Sequence, residues 1–433
     1  MSACSHDSLQ SSISNMPTPS LILVPARFKT GKLYTPVATT SGGVVLGASG
    51  DFNVTRATTA TRVNASGLVQ VVASGIPRLD YFASGGVVGC PALLVEPSGS
   101  NLAFIVTGYS LSNATTGSLV TSPEGTSNAI TFIESSDAVA TNHQITTNGI
   151  TFASGTTYTF SAFFKAGNNN RSARLALPSA LFVGSPVAIF DITNGSVLLS
   201  GDCTASIQNY GNGWFRAIIT AVCDSSGTTS SFLNLASGAT RDYIGNGSGS
   251  ILVYGSQIET GSVATSYIPT TTAAVTRNAD VISLSGAVSG CIGQTEGTIY
   301  VDIIPPSGGT GANLILIGDG TANNFVFVGK NGANLQGLIR SSNVPILNNS
   351  SFALTGGAIK AALGYKSGDF ALYANGSIVA SGTTAFTFNS GLTRIGITNG
   401  FDFAAPTTIN KYNAVALYTT RLTDSELAAL TTP

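Results

Sequence analysis

The stretch "KYNAVALYTTRLTDSELAAL", from Lys411 to Leu430, holds the clearest helix start in the 433-residue chain. Thr423 and Glu426 form a Thr-x-x-Glu capping box, in which each side chain satisfies an orphan backbone donor. Leu422 before the cap and Leu427 inside it are spaced as a hydrophobic staple. A segment of about nine residues does not hold as an isolated helix. The spacing therefore predicts a short helix over 423–430 that docks through Leu422, Leu427 and Leu430. The chain before it reads as strand: β-branched and aromatic runs are broken by Gly, Asn, Ser or Pro about every 8–12 residues, the rhythm of a sandwich or barrel. The helix is then a lid on a sheet, covering an open end or edge that would otherwise invite foreign pairing.

Composition agrees with a packed β protein. Charged residues are 9% of the chain, against about 25% in ordinary globular proteins. Hydrophobic residues at 43% suffice for a core, so the surface is polar through hydroxyls and amides and suits packing against identical copies. A formal net charge of −1 supplies no field for steering toward nucleic acid or anionic lipid. No apolar run reaches the roughly 18 residues of a membrane-spanning helix, and "MSACSHDSLQSSISNMPTPS" lacks the basic and apolar parts of a signal peptide. Synthesis and folding in a cytoplasm, with neither nucleic-acid binding nor membrane insertion, are the expectation. Cys4, Cys90, Cys203, Cys223 and Cys291 form no CxxC pair, so a structural zinc site is not expected.

Four segments follow from the composition shifts: an N-terminal arm over 1–50, a Gly-rich β block over 51–96, a strand-dense region over 97–276 and another over 277–433. "YIPTTTAAVTRNADVISLSG" connects the last two. "FDITNGSVLLSG" places Asn194-Gly195 between β-rich arms, a type I′ hairpin signal. "GDCTASIQNYGNGWFRAIITAVCD" folds about Gly211-Asn212-Gly213, which sets Cys203 nearly opposite Cys223. "IKAALGYKSGDFALYANGSIVASG" reads as three strands joined at Ser367-Gly368 and Asn375-Gly376. Its middle strand alternates Leu372 and Ala374 with Ala371 and Tyr373, as a half-buried strand does.

"KSGDFALYANGSIVASG", "LTRIGI" and the final Leu-Thr-x-x-Glu-Leu helix together resemble the concanavalin A-like, laminin-G-like jelly roll. "FDITNGSV", "GNGWFRAIIT" and "QIETGSVATSYIPT" are similar to carbohydrate-binding-module-like jelly rolls of bacteriophage structural proteins. "TRATTATRVNASGLVQVVASGIPRLDY" and "CPALLVEPSGSNL" resemble the block preceding such modules in phage fibres, while residues 1–50 match no known pattern. The resemblance implies an all-β fold of tandem β-sandwiches after an N-terminal attachment region, with one short C-terminal helix. It further implies a virion structural protein, a homotrimeric fibre or spike on the particle exterior. Such a protein would attach to other virion proteins through its N-terminal region and present lectin-like sandwiches to host-surface glycan. A capsid-decorating head fibre is the alternative, and a glycan depolymerase the second. Modules of this kind often carry a Trp shortly after the Asn-Leu segment, and "NLAFIVTGYSLSNATTGSLV" has none.

Each candidate for chemistry has a plainer reading beside it. Trp214 is either a sugar-stacking platform or, more simply, a core anchor beside a hairpin. His143 would need a positioned partner to act as a base, and "ATNHQITT" supplies none, which leaves a loop or strand-end histidine; His6 lies in the arm. Glu296, Asp302, Asp319, Asp369 and Asp402 are candidates for a glycosidase pair, whose chemistry depends on separation, but acids in Ser-Gly-Asp and Gly-Asp-Gly are simply turn formers. "GDGTANN", Gly318–Asn324, has oxygen ligands of the kind calcium takes but no acidic cluster. No catalytic residue, metal or cofactor is expected, ligand-binding residues are not identified, and Cys203 and Cys223 are expected as reduced, buried neighbours.

Overall fold

The computed structural model describes residues 17–433 except 24, 26–27, 34–36, 39–43, 46–50, 84–85, 105–109, 286–289, 308–310, 356 and 398–405. Most of the 1–50 arm, with Cys4 and His6, and also Asp402, lie outside the described residues. The fold is all-β with antiparallel sheets and one α-helix, Asp424–Thr431, among the described residues. No helix of the described residues is long and apolar enough to cross a membrane.

Two sandwiches divide the strands. The jelly roll pairs a six-stranded sheet, running from Ser110–Ser112 to the edge strand Ser196–Ser200, with a seven-stranded sheet whose middle holds Thr157–Ala166 and Trp214–Val222. Phe132, Phe160, Phe164, Phe190 and Leu233 fill the space between them. The C-terminal sandwich pairs an eight-stranded sheet built on Glu296–Ser307 and Ile409–Tyr418 with a nine-stranded sheet built on Gly311–Gly318 and Phe325–Asn331.

Most of the described strands before residue 97 belong to this second sandwich. Leu21–Leu23 pairs antiparallel with Ile409–Tyr418 through Leu21 opposite Leu417. Gly86–Val95 pairs the same strand through Leu93 opposite Tyr412, and Phe52–Thr55 pairs Val281–Ser285. Leu21, Leu23, Phe52, Val54, Leu93 and Val95 share one core with residues of 282–417. The 51–96 segment is therefore a structural part of the C-terminal sandwich. Its hairpin, Ala60–Val63 with Val69–Val72, lies instead on the jelly roll, where Val69 packs against Phe163 and Trp214.

A buried ion cluster locks the junction. Arg78 donates from Nη1 to Glu96 Oε2 at 2.6 Å and from Nη2 to Asp280, while Arg56 Nη1 donates to Asp280 Oδ1 at 2.7 Å. Ser266 of the jelly roll donates to Glu96 through its N–H and its hydroxyl. Burial pushes the Glu96 carboxyl upward, but Arg78 and Arg277 outweigh it and hold the group at about 2.

The helix forms as its sequence dictates. Thr423 Oγ1 accepts from the Glu426 N–H, and Glu426 Oε2 accepts from the Thr423 N–H at 2.7 Å, closing the capping box. Leu422 and Leu427 are buried together. The position of the lid differs from the expectation, because the helix covers the outer face of the eight-stranded sheet rather than an end or edge. It packs on Tyr300, Ala362, Ala371 and Tyr373. Phe370–Ala374 is consequently buried along its whole length and is not the half-buried strand its alternation predicts. Gly364 is needed beneath the helix, since a Cβ there would meet Leu427 Cδ1 at 3.2 Å.

The hairpins divide. Asn375-Gly376 and Asn212-Gly213 are two-residue turns with both residues at positive φ, the signature of type I′. Asn194-Gly195 is not: Asp191 pairs with Ser196 and the loop spans four residues, with only Gly195 at positive φ. The Asp191 carboxylate accepts from the N–H groups of Thr193 and Asn194 and stabilises this longer loop.

The cysteine register also changes. The ladder shifts between Asn209 and Gly211, so that Thr204 faces Thr220. The next position outward sets Cys203 beside Ala221, and Cys223 instead bridges to Phe182. The two-residue turn would set Cys203 opposite Val222, and the bulge at Tyr210 moves it one position further. Both are free thiols, Cys223 buried and Cys203 partly so.

Candidate functional site

The residues singled out for chemistry are scattered, each held by its own partners. Trp214 is 3% exposed and packs with Val69, Ala129, Phe163 and Tyr267, so it is a core anchor. His143 opens the strand His143–Thr146 and is fully buried. It has an acid partner that its local sequence does not show: Nε2 stands 2.7 Å from Asp137 Oδ2, six residues back. The ring also packs on Tyr243 at 4.5 Å. The Gly245 backbone closes over this pair, where a Cβ would fall 2.6 Å from Nε2, so no substrate reaches the imidazole.

The carboxylates are equally engaged. Glu296 pairs with Lys366, Asp302 accepts from Asn413 Nδ2 at 2.9 Å, and Asp369 pairs with Arg421. In the Gly318–Asn324 loop, Asp319 accepts from the Thr321 N–H and hydroxyl, from Asn324 and from Ser390. The loop's own donors thus fill the oxygens a cation would need. Among the described residues no group of three His, Cys, Asp or Glu is placed to hold a metal ion.

The structure brings together a different set. Where the hairpin Ala60–Val63/Val69–Val72 crosses the outer face of the seven-stranded sheet, it leaves a cleft of about 140 Å³. Sheet register builds its floor. Gln208 opposes Arg216, Arg216 opposes Phe163, and Phe163 opposes Tyr254, so the four side chains form a row on one face. Tyr210, two residues from Gln208, stands edge-on to Phe163 with centroids 4.8 Å apart. Phe82 stacks on Tyr210 at 4.3 Å.

Lys411, first residue of the stretch that reveals the fold, closes the other side. Its Nζ donates to Asp80 Oδ2 at 2.6 Å and lies 4.9 Å from the Phe82 centroid. Asp80 Oδ1 accepts from the Val63 N–H at 2.7 Å, tying the hairpin to the wall. Arg216 donates to Ser161 and to the Thr265 carbonyl, and burial pushes the Tyr267 phenol upward. An aromatic wall beside fixed donors and acceptors suits a ligand with one apolar and one hydroxylated face. A second cavity, about 320 Å³ between Thr58–Ala60, Val71 and Pro269, has no aromatic wall.

Local sequence reasoning passes over Arg62, Asp80, Phe82, Gln208, Tyr210 and Lys411. The turn at Asn212-Gly213 is legible but does not point to two of them, because a regular hairpin from it sets Tyr210 and Gln208 opposite Phe215 and Ala217, and only the bulge at Tyr210 brings Gln208 opposite Arg216. Asp80 and Lys411 are 331 positions apart, and no local pattern joins them.

No family model and no characterised protein sequence matches the chain. Solved structures similar to it include the CBM40 module of Ruminococcus gnavus IT-sialidase bound to α2,3-sialyllactose. It is 19% identical over 32% of this chain and 84% of that one, with a TM-score of 0.29. The receptor-binding domain of botulinum neurotoxin C/D mosaic serotype is 11% identical over 35% and 39% of the two chains, TM-score 0.29. Trypanosoma rangeli sialidase in complex with sialic acid is 11% identical over 93% and 82%, TM-score 0.29. At these TM-scores the likenesses carry no functional argument.

Proposed function

We propose that the chain is a glycan-binding structural protein without hydrolytic activity, a fibre or spike of a bacteriophage virion that displays its sandwiches to the host surface. The observation that carries the binding part is the cleft, in which Phe82, Tyr210 and Phe163 stand beside the Lys411–Asp80 pair. The virion part rests on the order of sequence motifs. In this reading the protein is a homotrimer attached to other virion proteins through its N-terminal region, and a capsid-decorating head fibre is the alternative placement. A depolymerase is disfavoured because Glu296, Asp302, Asp319 and Asp369 each have separate partners.

The test is a glycan array probed with the full chain and with Tyr210→Ala. Tyr210 is half-buried, so the variant is expected to fold, and glycan signal should fall to background. Unchanged binding would move the site elsewhere, and release of reducing sugar by the wild type would restore the enzyme reading. Labelling the protein on particles by electron microscopy separates tail from head.

A further inference from the structure

The cleft's charges are unevenly engaged. Arg62, Arg216 and Lys411 line it against two carboxylates, Asp80 and Glu96. Both carboxylates are committed, Asp80 to Lys411 and the Val63 N–H, Glu96 to Arg78 and Ser266. Arg62 donates only to neutral oxygens: the Gln70 amide at 3.1 and 3.2 Å and the Leu79 carbonyl at 3.3 Å. It is half-buried on the strand that carries the hairpin wall. Burial pushes its guanidinium below the ordinary value, yet an arginine stays charged. Arg216 faces the buried Glu259 carboxyl. Arg62 has Asp80 near it but no carboxylate hydrogen-bonded to it, and an N–H is left on each of Nη1 and Nη2 beyond its bonds to Gln70 and Leu79. It is therefore the cation free to take a carboxylate.

Size restricts the occupant. A cavity of about 140 Å³ holds the volume of about five waters at ~30 Å³ each. It falls below the roughly 300–1,000 Å³ of pockets for drug-sized molecules. One sugar ring, free or at the end of a longer chain that runs out of the open cleft, fits that scale.

We infer that the cleft takes a single acidic pyranose, its apolar face against Phe82 and Tyr210 and its carboxylate on Arg62. This rests on the glycan reading above and adds the class of sugar. The Lys411–Asp80 pair supplies a donor and an acceptor for ring hydroxyls, and the anion makes binding salt-dependent through a half-buried cation.

The experiment is titration calorimetry of the full chain with glucuronate, glucose and inorganic phosphate at matched ionic strength, on wild type, Arg62→Gln, Arg62→Lys and Tyr210→Ala. Glucuronate is expected to bind about tenfold or more tightly than glucose, as a charged hydrogen-bonded pair implies. Arg62→Gln should abolish the preference for glucuronate over glucose, Arg62→Lys should keep part of it, and Tyr210→Ala should lose both sugars. Equal affinities in the wild type, both lost in Tyr210→Ala, would overturn the acidic class and leave the glycan reading standing. Binding of neither sugar would overturn both. Phosphate competing as well as glucuronate would mark a plain anion site and overturn the inference. If Arg62→Gln fails to fold, the wild-type salt series decides, since glucuronate affinity should fall with salt and glucose affinity should not.

Discussion

The outer faces of two sheets in this molecule are both covered, and the covers behave differently. Over the eight-stranded sheet, the helix Asp424–Thr431 lies on Ile359–Lys366 and Phe370–Ala374, in one cluster with Tyr300, Ala362, Ala371 and Tyr373. Small side chains and Gly364 let Leu427 and Leu430 sit close, and the layer is sealed. Over the seven-stranded sheet, the hairpin Ala60–Val63/Val69–Val72 lies on Phe163, Trp214 and Tyr267 with Arg216 among them. Large rings and a guanidinium hold that cover off at one side, and the opening is the cleft. What lies beneath each cover decides the outcome: a face of alanines and tyrosines without a charged side chain is closed by a helix, while an aromatic face with a guanidinium in it leaves room for a ligand.

The largest expected effect tests what holds the hairpin cover in place. Arg78→Met removes the closest cation shared by Glu96 and Asp280 in a fully buried site, leaving Asp280 to Arg56 and Glu96 to the longer Arg277 contact, which costs about 3 kcal/mol. Denaturant unfolding should show that loss, and ligand affinity should fall because Arg78 also donates to Ser266 Oγ in the cleft lining. Stability within about 0.5 kcal/mol of wild type would show that the junction does not depend on the cluster.

Acid probes the same junction without mutation. Glu96 titrates at about 2 in the fold against an ordinary value of 4.5. A depressed carboxyl contributes its stabilisation in full above about pH 4.5 and loses it as pH falls toward 2, roughly 3 kcal/mol in all. Unfolding measured across that window should show stability decreasing with acid, and Glu96→Gln should flatten the curve. An equal slope in both proteins would remove Glu96 from the account.

The smallest effect belongs to the sealed face. Thr423→Ala removes the cap acceptor for the Glu426 N–H and should cost about 1 kcal/mol. Because the helix sits on the far sandwich, sugar affinity should be unchanged. A shift in affinity would show that the two covers communicate.

Legibility in the sequence follows the range of the interactions. The capping box, the Leu422–Leu427 staple and the Asn375-Gly376 turn lie within a few residues, and each is present as read. The four-residue loop at Asp191–Ser196 was hidden because an Asp side chain competes with the Asn-Gly signal for the same backbone. The bulge at Tyr210 was hidden because nothing local distinguishes a bulged from a regular strand, and it moves Cys203 one position further from Cys223 than the turn alone would. Membership of Leu21–Leu23 and Gly86–Val95 in the C-terminal sheet is a pairing across more than three hundred residues, beyond any periodicity. The cleft has the same character, since Asp80 and Lys411 meet only through the pairing of Gly86–Val95 with both Arg78–Ala83 and Ile409–Tyr418.

A crystal structure of the full chain with bound glucuronate tests the central claim most directly. A sugar ring in van der Waals contact with Phe82 and Tyr210, its carboxylate within about 3 Å of the Arg62 guanidinium, is the predicted result. A ring bound on the loops or on the six-stranded sheet, with the Phe82–Tyr210 cleft empty at saturating ligand, would contradict it.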